Sequence, residues 1–80
     1  MAEEQFLTEG DLAALAKCFR KAAHKSRAQA ARDMCVSQTS IFNAEESPEQ
    51  SLTKLRTRMI EEYSDFTVNG PFFRLHRKQT

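Results

Sequence analysis

Residues 27–45 (RAQAARDMCVSQTSIFNAE) constrain the fold most, because they read as two short helices joined by a tight turn. Ser26 precedes the first of these helices and Gln29 follows three residues later, which is the spacing of a capping box. Ala30 and Ala31 are small, so a second helix can cross the first one closely. The stretch therefore predicts a closely packed pair of helices.

The second helix of this pair begins at a residue that suits its start. Residues 34–36 (Met-Cys-Val) interrupt the first helix, and the hydroxyl of Ser37 can accept hydrogen bonds from the free backbone amides of a new helix. We expect this helix to span residues 37–44. Its outer face is uncharged and carries Ser37, Gln38, Thr39, Phe42 and Asn43.

This spacing resembles the DNA-binding helix-turn-helix unit of phage Cro proteins and XRE-type bacterial repressors. With Arg27 counted as the first residue of the unit, Ala31 takes the small position, and Val36 and Ile41 take the apolar ones. The run VSQTSI is similar to the start of many recognition helices. Cys35 departs from the family, which usually has glycine in a left-handed turn, and this costs roughly 1 kcal/mol.

The resemblance covers about residues 12–64 and implies an all-α, lambda-repressor-like bundle of four to five helices. A chain of 80 residues allows one small domain with a modest core. We expect residues 1–7 to be a flexible arm and residues 8–64 to be the DNA-binding domain, with its helix-turn-helix unit at 26–45. Residues 65–80 then form a short extended or β segment.

Apolar residues at helical spacing predict two further helices. Thr8 and Asp11 have the spacing of a capping start for the first helix, and Pro48 suits the first turn of the last one. The apolar face of the first helix carries Leu12, Leu15, Ala16, Phe19 and Ala23. The apolar face of the last helix carries Leu52, Leu55, Met59, Ile60 and Tyr63.

The segment after Asp65 changes to an extended, apolar pattern. Asn69-Gly70 favours a turn, although Pro71 favours a wider loop or an edge strand over a two-residue hairpin. The phenylalanines of this segment have two interpretations that the sequence leaves open. They cover the helical core of the same subunit, or the segment pairs with its twin in a dimer, as in Cro-like proteins. The basic tail, residues 76–80, is expected to be mobile.

The charges are segregated along the chain, although the net charge is only +1. Between Leu12 and Arg32 there is no acidic residue and there are six basic ones: Lys17, Arg20, Lys21, Lys25, Arg27 and Arg32. Acidic residues cluster after the recognition helix, at Glu45, Glu46 and Glu49. We therefore expect the first two helices to carry a positive field, while the near-neutral balance predicts weak non-specific DNA binding.

Cysteine spacing and motif content exclude several other classes. Cys18 and Cys35 lie 17 residues apart without the spacing of a zinc site, and we expect both to be buried, reduced thiols. His24 is expected at the surface. No motif of a catalytic, cofactor-binding or phosphate-cradling site occurs, and no apolar run approaches a membrane span. The sequence predicts a cytoplasmic protein that is not an enzyme and needs no cofactor or metal.

The site residues follow from side-chain chemistry and from the resemblance. Amides match the adenine edge in the major groove, and methyl or aromatic groups can contact a thymine methyl. The predicted base-reading residues are Gln38, Thr39, Phe42 and Asn43, although packing of Phe42 against the last helix is an open alternative. The predicted phosphate contacts are Ser26, Arg27, Gln29, Ser37 and Lys54.

The resemblance also implies a structural ion pair between Arg20 and Glu45, which would tie the first helix to the recognition helix. Two independent surface charges are the alternative. Glu46 stands where many family members have a neutral or basic residue, and an acid near the DNA backbone would weaken binding.

Two functions are consistent with this pattern. The first is a sequence-specific regulator of transcription, a repressor that binds double-stranded DNA as a homodimer. The second is a helix-turn-helix scaffold that serves as a protein–protein interaction module, such as an antitoxin, with little DNA binding. Neither involves a membrane or a small-molecule substrate. The salt dependence of the binding affinity distinguishes the two functions. Contacts to DNA phosphates release counterions, so affinity for DNA falls steeply with salt, whereas binding through an apolar interface releases none.

Overall fold

The computed structural model describes residues 6–69 and 74–78, which form a small, mostly helical structure. Four α-helices are followed by a short two-stranded antiparallel sheet at the C-terminal end. In chain order the elements are α1 (Glu9–Ala22), α2 (Arg27–Met34), α3 (Gln38–Glu46), α4 (Thr53–Tyr63), β1 (Phe66–Asn69) and β2 (Arg74–Arg77).

The predicted caps of α1 and α2 are confirmed as complete capping boxes. Thr8 Oγ1 accepts a hydrogen bond from the amide of Asp11 at 3.1 Å, and Asp11 Oδ2 accepts one from the amide of Thr8 at 2.9 Å. Ser26 and Gln29 form the same reciprocal pair at the start of α2. Each box satisfies backbone amides that have no partner within the helix.

The turn between α2 and α3 is left-handed, as predicted. Cys35 ends α2 with φ 61° and ψ 45°, and the amide of Val36 donates to the carbonyl of Ala31 at 2.9 Å. Ser37 then caps α3 by accepting from the amide of Ser40 at 3.1 Å. The helix runs to Glu46, two residues beyond the predicted end.

The core lies where all four helices meet. It is built from nine buried apolar residues: Leu12, Ala16, Ala30, Ala31, Met34, Ile41, Ala44, Met59 and Ile60. Four of these are alanines, which allow the helix axes to approach closely. Val36 packs partly buried against this core, as do Leu15, Phe19, Leu52, Leu55 and Tyr63 of the predicted α1 and α4 faces. Ala23, also predicted on the α1 face, is the C-cap residue that follows the helix.

The expected start of α4 near Pro48 is wrong, because residues 48–50 form a turn and the helix begins at Thr53. The carbonyls of Ser47 and Gln50 accept hydrogen bonds from the buried guanidinium of Arg56, each at 2.7 Å. Because Arg56 holds these two carbonyls, the segment stays in a loop and does not begin the helix. Sequence spacing alone gave no sign of that contact.

The C-terminal strands pair with Phe66 opposite Arg77 and Val68 opposite Leu75. β1 packs on α4, and the side chains of Phe66, Val68 and Leu75 lie against the helical core. For these residues, the interpretation that the segment covers the core of its own subunit is confirmed. Phe72 and Phe73 lie outside the described residues.

The N-terminal arm differs in part from the prediction. Leu7 packs partly buried against the core, so the ordered chain begins before Thr8. The expected mobile tail at residues 76–80 is wrong for His76 and Arg77, which pair with Thr67 and Phe66 in the sheet. The expectations for residues 1–5 and 79–80 fall outside the part of the chain that the structure describes. Within the described part, no helix is long and apolar enough to cross a membrane.

Both cysteines are free thiols, but the prediction that they are buried is wrong, since both are exposed. Cys18 lies two residues after the buried Ala16, about 200° around the helix, and so points away from the core. Cys35 lies at the left-handed turn. His24 is exposed as expected and also has a positive φ of 60°.

Candidate nucleic-acid interface

The outer face of α3 is exposed and uncharged. Gln38, Thr39 and Phe42 are exposed, and Asn43 is half-buried. The opposite face of the same helix is buried and carries Ile41, Ala44 and Glu45. This division leaves three hydrogen-bonding side chains and one aromatic ring facing outward.

Phe42 is oriented by α2. Its ring is 47% exposed and lies under the guanidinium of Arg27, with 5.0 Å between the guanidinium carbon and the ring centroid. The alternative that Phe42 packs beneath α4 does not fit this exposure. A cation over an aromatic face is an attractive contact, so α2 restricts the orientation of an outward-facing α3 side chain.

The ion pair implied between Arg20 and Glu45 is present. Arg20 Nε lies 2.5 Å from Glu45 Oε2, and Arg20 Nη2 lies 3.0 Å from Glu45 Oε1. Arg20 also donates to the carbonyl of Lys25 at 2.7 Å. The side chain of Glu45 is fully buried and that of Arg20 is 9% exposed, so the pair fixes α3 against α1.

Arg27 has partners that the sequence analysis did not predict. Its Nε donates to Glu45 Oε1 at 3.0 Å, and its Nη2 donates to Glu46 Oε2 at 2.9 Å. Lys17 Nζ reaches the same oxygen of Glu46 at 2.6 Å. The expected phosphate contact at Arg27 is therefore engaged with two carboxylates of its own chain.

Glu46 is the electrostatic centre of this cluster. The hydrogen bond from Lys17 is the main cause that lowers the pKa of Glu46, and the charges of Lys17 and Arg27 act in the same direction. Glu46 is consequently ionised throughout the neutral range. No spacing rule would have found the contact with Lys17, because the two residues lie 29 apart in the chain.

The remaining predicted phosphate contacts have different surroundings. Ser26 and Gln29 are exposed at the start of α2, where their side chains complete the capping box. Ser37 is exposed at the start of α3 and is used as its cap. Lys54 is exposed in the first turn of α4. These residues thus lie at the starts of α2, α3 and α4.

The expected positive field of α1 and α2 is largely neutralised. Four of the six basic residues between Leu12 and Arg32 face a carboxylate: Lys17, Arg20, Lys25 and Arg27. Only the pair of Lys25 with Asp33 is long, at 3.9 Å. Charges that are segregated in sequence are thus interleaved in space, because the acidic end of α3 lies on the basic helices.

Arg56 of α4 is a buried cation. It is fully buried, donates to the carbonyl of Ala44 at 2.8 Å and forms an ion pair with Glu9. Arg58 donates to the carbonyl of Met34 at 3.0 Å. Arg56 therefore acts on the fold and is not available to a ligand.

Among residues 6–69 and 74–78, no group of three or more His, Cys, Asp or Glu side chains is placed to hold a metal ion. No protein-family model matches the chain, and comparisons with curated proteins and with solved structures give no match either.

Proposed function

We propose that the chain is a sequence-specific, double-stranded DNA-binding regulator of transcription with an XRE/Cro-type helix-turn-helix unit at residues 26–45. In this proposal α3 lies in the major groove and the start of α2 lies on the DNA backbone. The protein acts in the cytoplasm as a repressor, by occupying an operator. It binds and does not catalyse.

The observation that carries the proposal is the outward, uncharged face of α3, held at a fixed angle to α2. The left-handed turn at Cys35 sets this angle, and buried Ala30 and Ala31 bring the two helices close together. Gln38 and Thr39 lie exposed in the first turn of α3, where recognition helices of this geometry contact base edges.

The side chains of this face have the chemistry of base recognition. The amides of Gln38 and Asn43 each present a donor and an acceptor, which match the N6 and N7 edge of adenine. Thr39 offers a hydroxyl to a base or a methyl group to thymine. Phe42, oriented by Arg27, offers an apolar edge to a thymine methyl. Ser26, Gln29, Ser37 and Lys54, at the starts of α2, α3 and α4, are the proposed donors to phosphate.

A homodimer is part of the proposal. One domain of this size reads a short half-site, and a two-fold symmetric dimer doubles the contacts on a palindromic operator. Sedimentation of the purified protein with and without DNA tests for the homodimer.

A second function is favoured by one specific observation, the neutralisation of Lys17 and Arg27 by Glu45 and Glu46. This lowers the positive potential beside α3 and suits a module that binds a protein through the uncharged face. Such an interface would be nearly insensitive to salt.

Selection from random oligonucleotides, followed by titration of the recovered site at two salt concentrations, separates the two functions. A recovered palindrome with affinity that falls steeply with salt supports the regulator. If no sequence is enriched and binding stays weak at low salt, the interaction module replaces it.

A further inference from the structure

We infer that Lys17 and Arg27 form an oxyanion site for a phosphate of the DNA backbone, and that the carboxylate of Glu46 occupies this site in the free protein. The inference rests on the proposed function and adds one phosphate contact to it. Glu46 thereby becomes a residue that sets the affinity for DNA, since it must be displaced before the phosphate can bind.

The geometry of the cluster is that of a site for one oxyanion. Lys17 Nζ and Arg27 Nη2, from two different helices, converge on the single oxygen Oε2 of Glu46 at 2.6 and 2.9 Å. Ammonium and guanidinium donors bind carboxylate and phosphate oxygens in the same way. A phosphate oxygen at the position of Oε2 would therefore satisfy both donors.

Exposure makes the Glu46 carboxylate exchangeable. The side chains of Lys17, Glu46 and Arg27 are 38%, 33% and 33% exposed. Ion pairs that are open to water contribute little free energy. Solvent screens the attraction between the charges, and two long side chains lose conformational entropy when they pair. The buried pair of Arg20 with Glu45 beside them has no such access and stays in place.

The second carboxylate preserves the fold when Glu46 leaves. Arg27 Nε remains bound to Glu45 Oε1 at 3.0 Å, so Arg27 keeps its position on α2. Three cations of the cluster, Lys17, Arg20 and Arg27, face the two carboxylates Glu45 and Glu46. The cluster thus has a net charge of +1, which rises to +2 when Glu46 swings into solvent.

The site adjoins the proposed base-reading face. Arg27 lies over the ring of Phe42, and Glu46 ends α3 one turn after Phe42. A DNA strand that runs along the edge of a groove occupied by α3 passes this end of the helix. A backbone phosphate there meets Lys17 and Arg27 and is repelled by Glu46.

The test compares Glu46→Gln with the wild-type protein in titrations of a non-specific duplex over a salt series. Glu46→Gln keeps the shape of the side chain and removes its charge. On this duplex Glu46 stays in the site of the wild type, so Glu46→Gln allows one additional phosphate to be neutralised. This makes the slope of log K against log salt steeper by about 0.9, which corresponds to about tenfold tighter binding near 50 mM salt. Asp65→Asn is the matched control, because it removes the same charge from an exposed residue beside β1, which packs on α4. It should leave the slope unchanged.

Lys17→Gln distinguishes an occupied site from simple repulsion by Glu46. In the wild-type background Lys17 is already bound, so Lys17→Gln should change DNA affinity by less than about twofold. In the Glu46→Gln background it should remove most of the gain. Equal gains from Glu46→Gln and Asp65→Asn, or equal effects of Lys17→Gln in both backgrounds, overturn the oxyanion site. If neither the wild type nor Glu46→Gln binds DNA at low salt, the proposed function itself fails.

Discussion

Arg20 and Glu45 form a two-point contact between α1 and α3, with Nε to Oε2 at 2.5 Å and Nη2 to Oε1 at 3.0 Å. Arg27 donates to the same carboxylate from α2 at 3.0 Å. One buried glutamate thus joins three helices, and the angle of α3 depends on it.

Glu45→Gln should lower the free energy of unfolding by about 3–5 kcal/mol, because it leaves the mostly buried charge of Arg20 without its counter-charge. Urea denaturation measures this change. The matched control is Glu49→Gln at an exposed position of the following loop, which should stay within about 0.5 kcal/mol. Equal losses in the two variants would show that the contact does not organise the helices.

Arg56→Met should also lower the free energy of unfolding, by about 3 kcal/mol or more. Methionine fills a similar volume but leaves the carbonyls of Ala44, Ser47 and Gln50 without their donor and Glu9 without its cation. Lys54→Met on the exposed side of the same helix is the control. Thermal or urea unfolding that is the same for both variants would contradict the assigned role of Arg56.

The parts of the fold that were predictable from sequence depend on short-range signals. The capping boxes at Thr8 and Ser26 are set by residues three apart, and the break between α2 and α3 is set by the interruption of one helix and the cap of the next. Such contacts are determined by the local chain, so spacing reveals them. The Arg20–Glu45 pair joins positions 25 apart and was found only through the family resemblance.

Two of the failures, the positive field and the start of α4, come from contacts of charged side chains with groups on other elements. Lys17 and Glu46 are 29 residues apart, and Arg56 and Glu9 are 47 apart. From sequence alone, arginine and lysine are assigned to the surface, since most of them are exposed. Only the packing of α1 against α3 and α4 shows that these cations face carboxylates and carbonyls. The positive field and the start of α4 were therefore beyond sequence reasoning.

Cys35→Gly should stabilise the protein by about 0.5–1 kcal/mol. Cys35 has φ 61° and ψ 45°, a conformation that costs a residue with a Cβ roughly 1–2 kcal/mol, and the greater freedom of glycine in the unfolded chain offsets part of the gain. Cys35→Val, with its branched Cβ, should destabilise the fold. Thermal unfolding of the two variants gives opposite shifts if the left-handed turn is strained, and shifts of the same sign would contradict this.

Tyr63 should resist ionisation at alkaline pH. Burial, and then the hydrogen bond to Asp33 Oδ2 at 2.6 Å, raise the pKa of the phenol well above its usual value near 10. The unfolded chain therefore loses this proton first, so stability is complete below about pH 10 and declines as the pH rises above it.

The chain has a single tyrosine, so phenolate absorbance reports this group alone. In the wild type the phenol of Tyr63 should ionise only as the protein unfolds. In Asp33→Asn the pH at which Tyr63 ionises should move towards 10. In Tyr63→Phe there is no phenol to ionise, so the free energy of unfolding should fall less as the pH rises above 10. Phenolate formation near pH 10 in the folded wild type would refute the assigned environment.

Gln38→Ala should weaken binding to a recovered operator by about 1–3 kcal/mol while leaving random duplex DNA nearly unchanged. In the proposed complex the exposed amide of Gln38 contacts a base edge, whereas phosphate contacts act on every sequence alike. Gln50→Ala removes the same side chain from the exposed turn after α3 and should affect both DNAs little. Competition titrations with both duplexes at one salt concentration measure the difference. Equal losses on the two DNAs would assign Gln38 to the backbone and leave Thr39 and Asn43 as the readers of sequence.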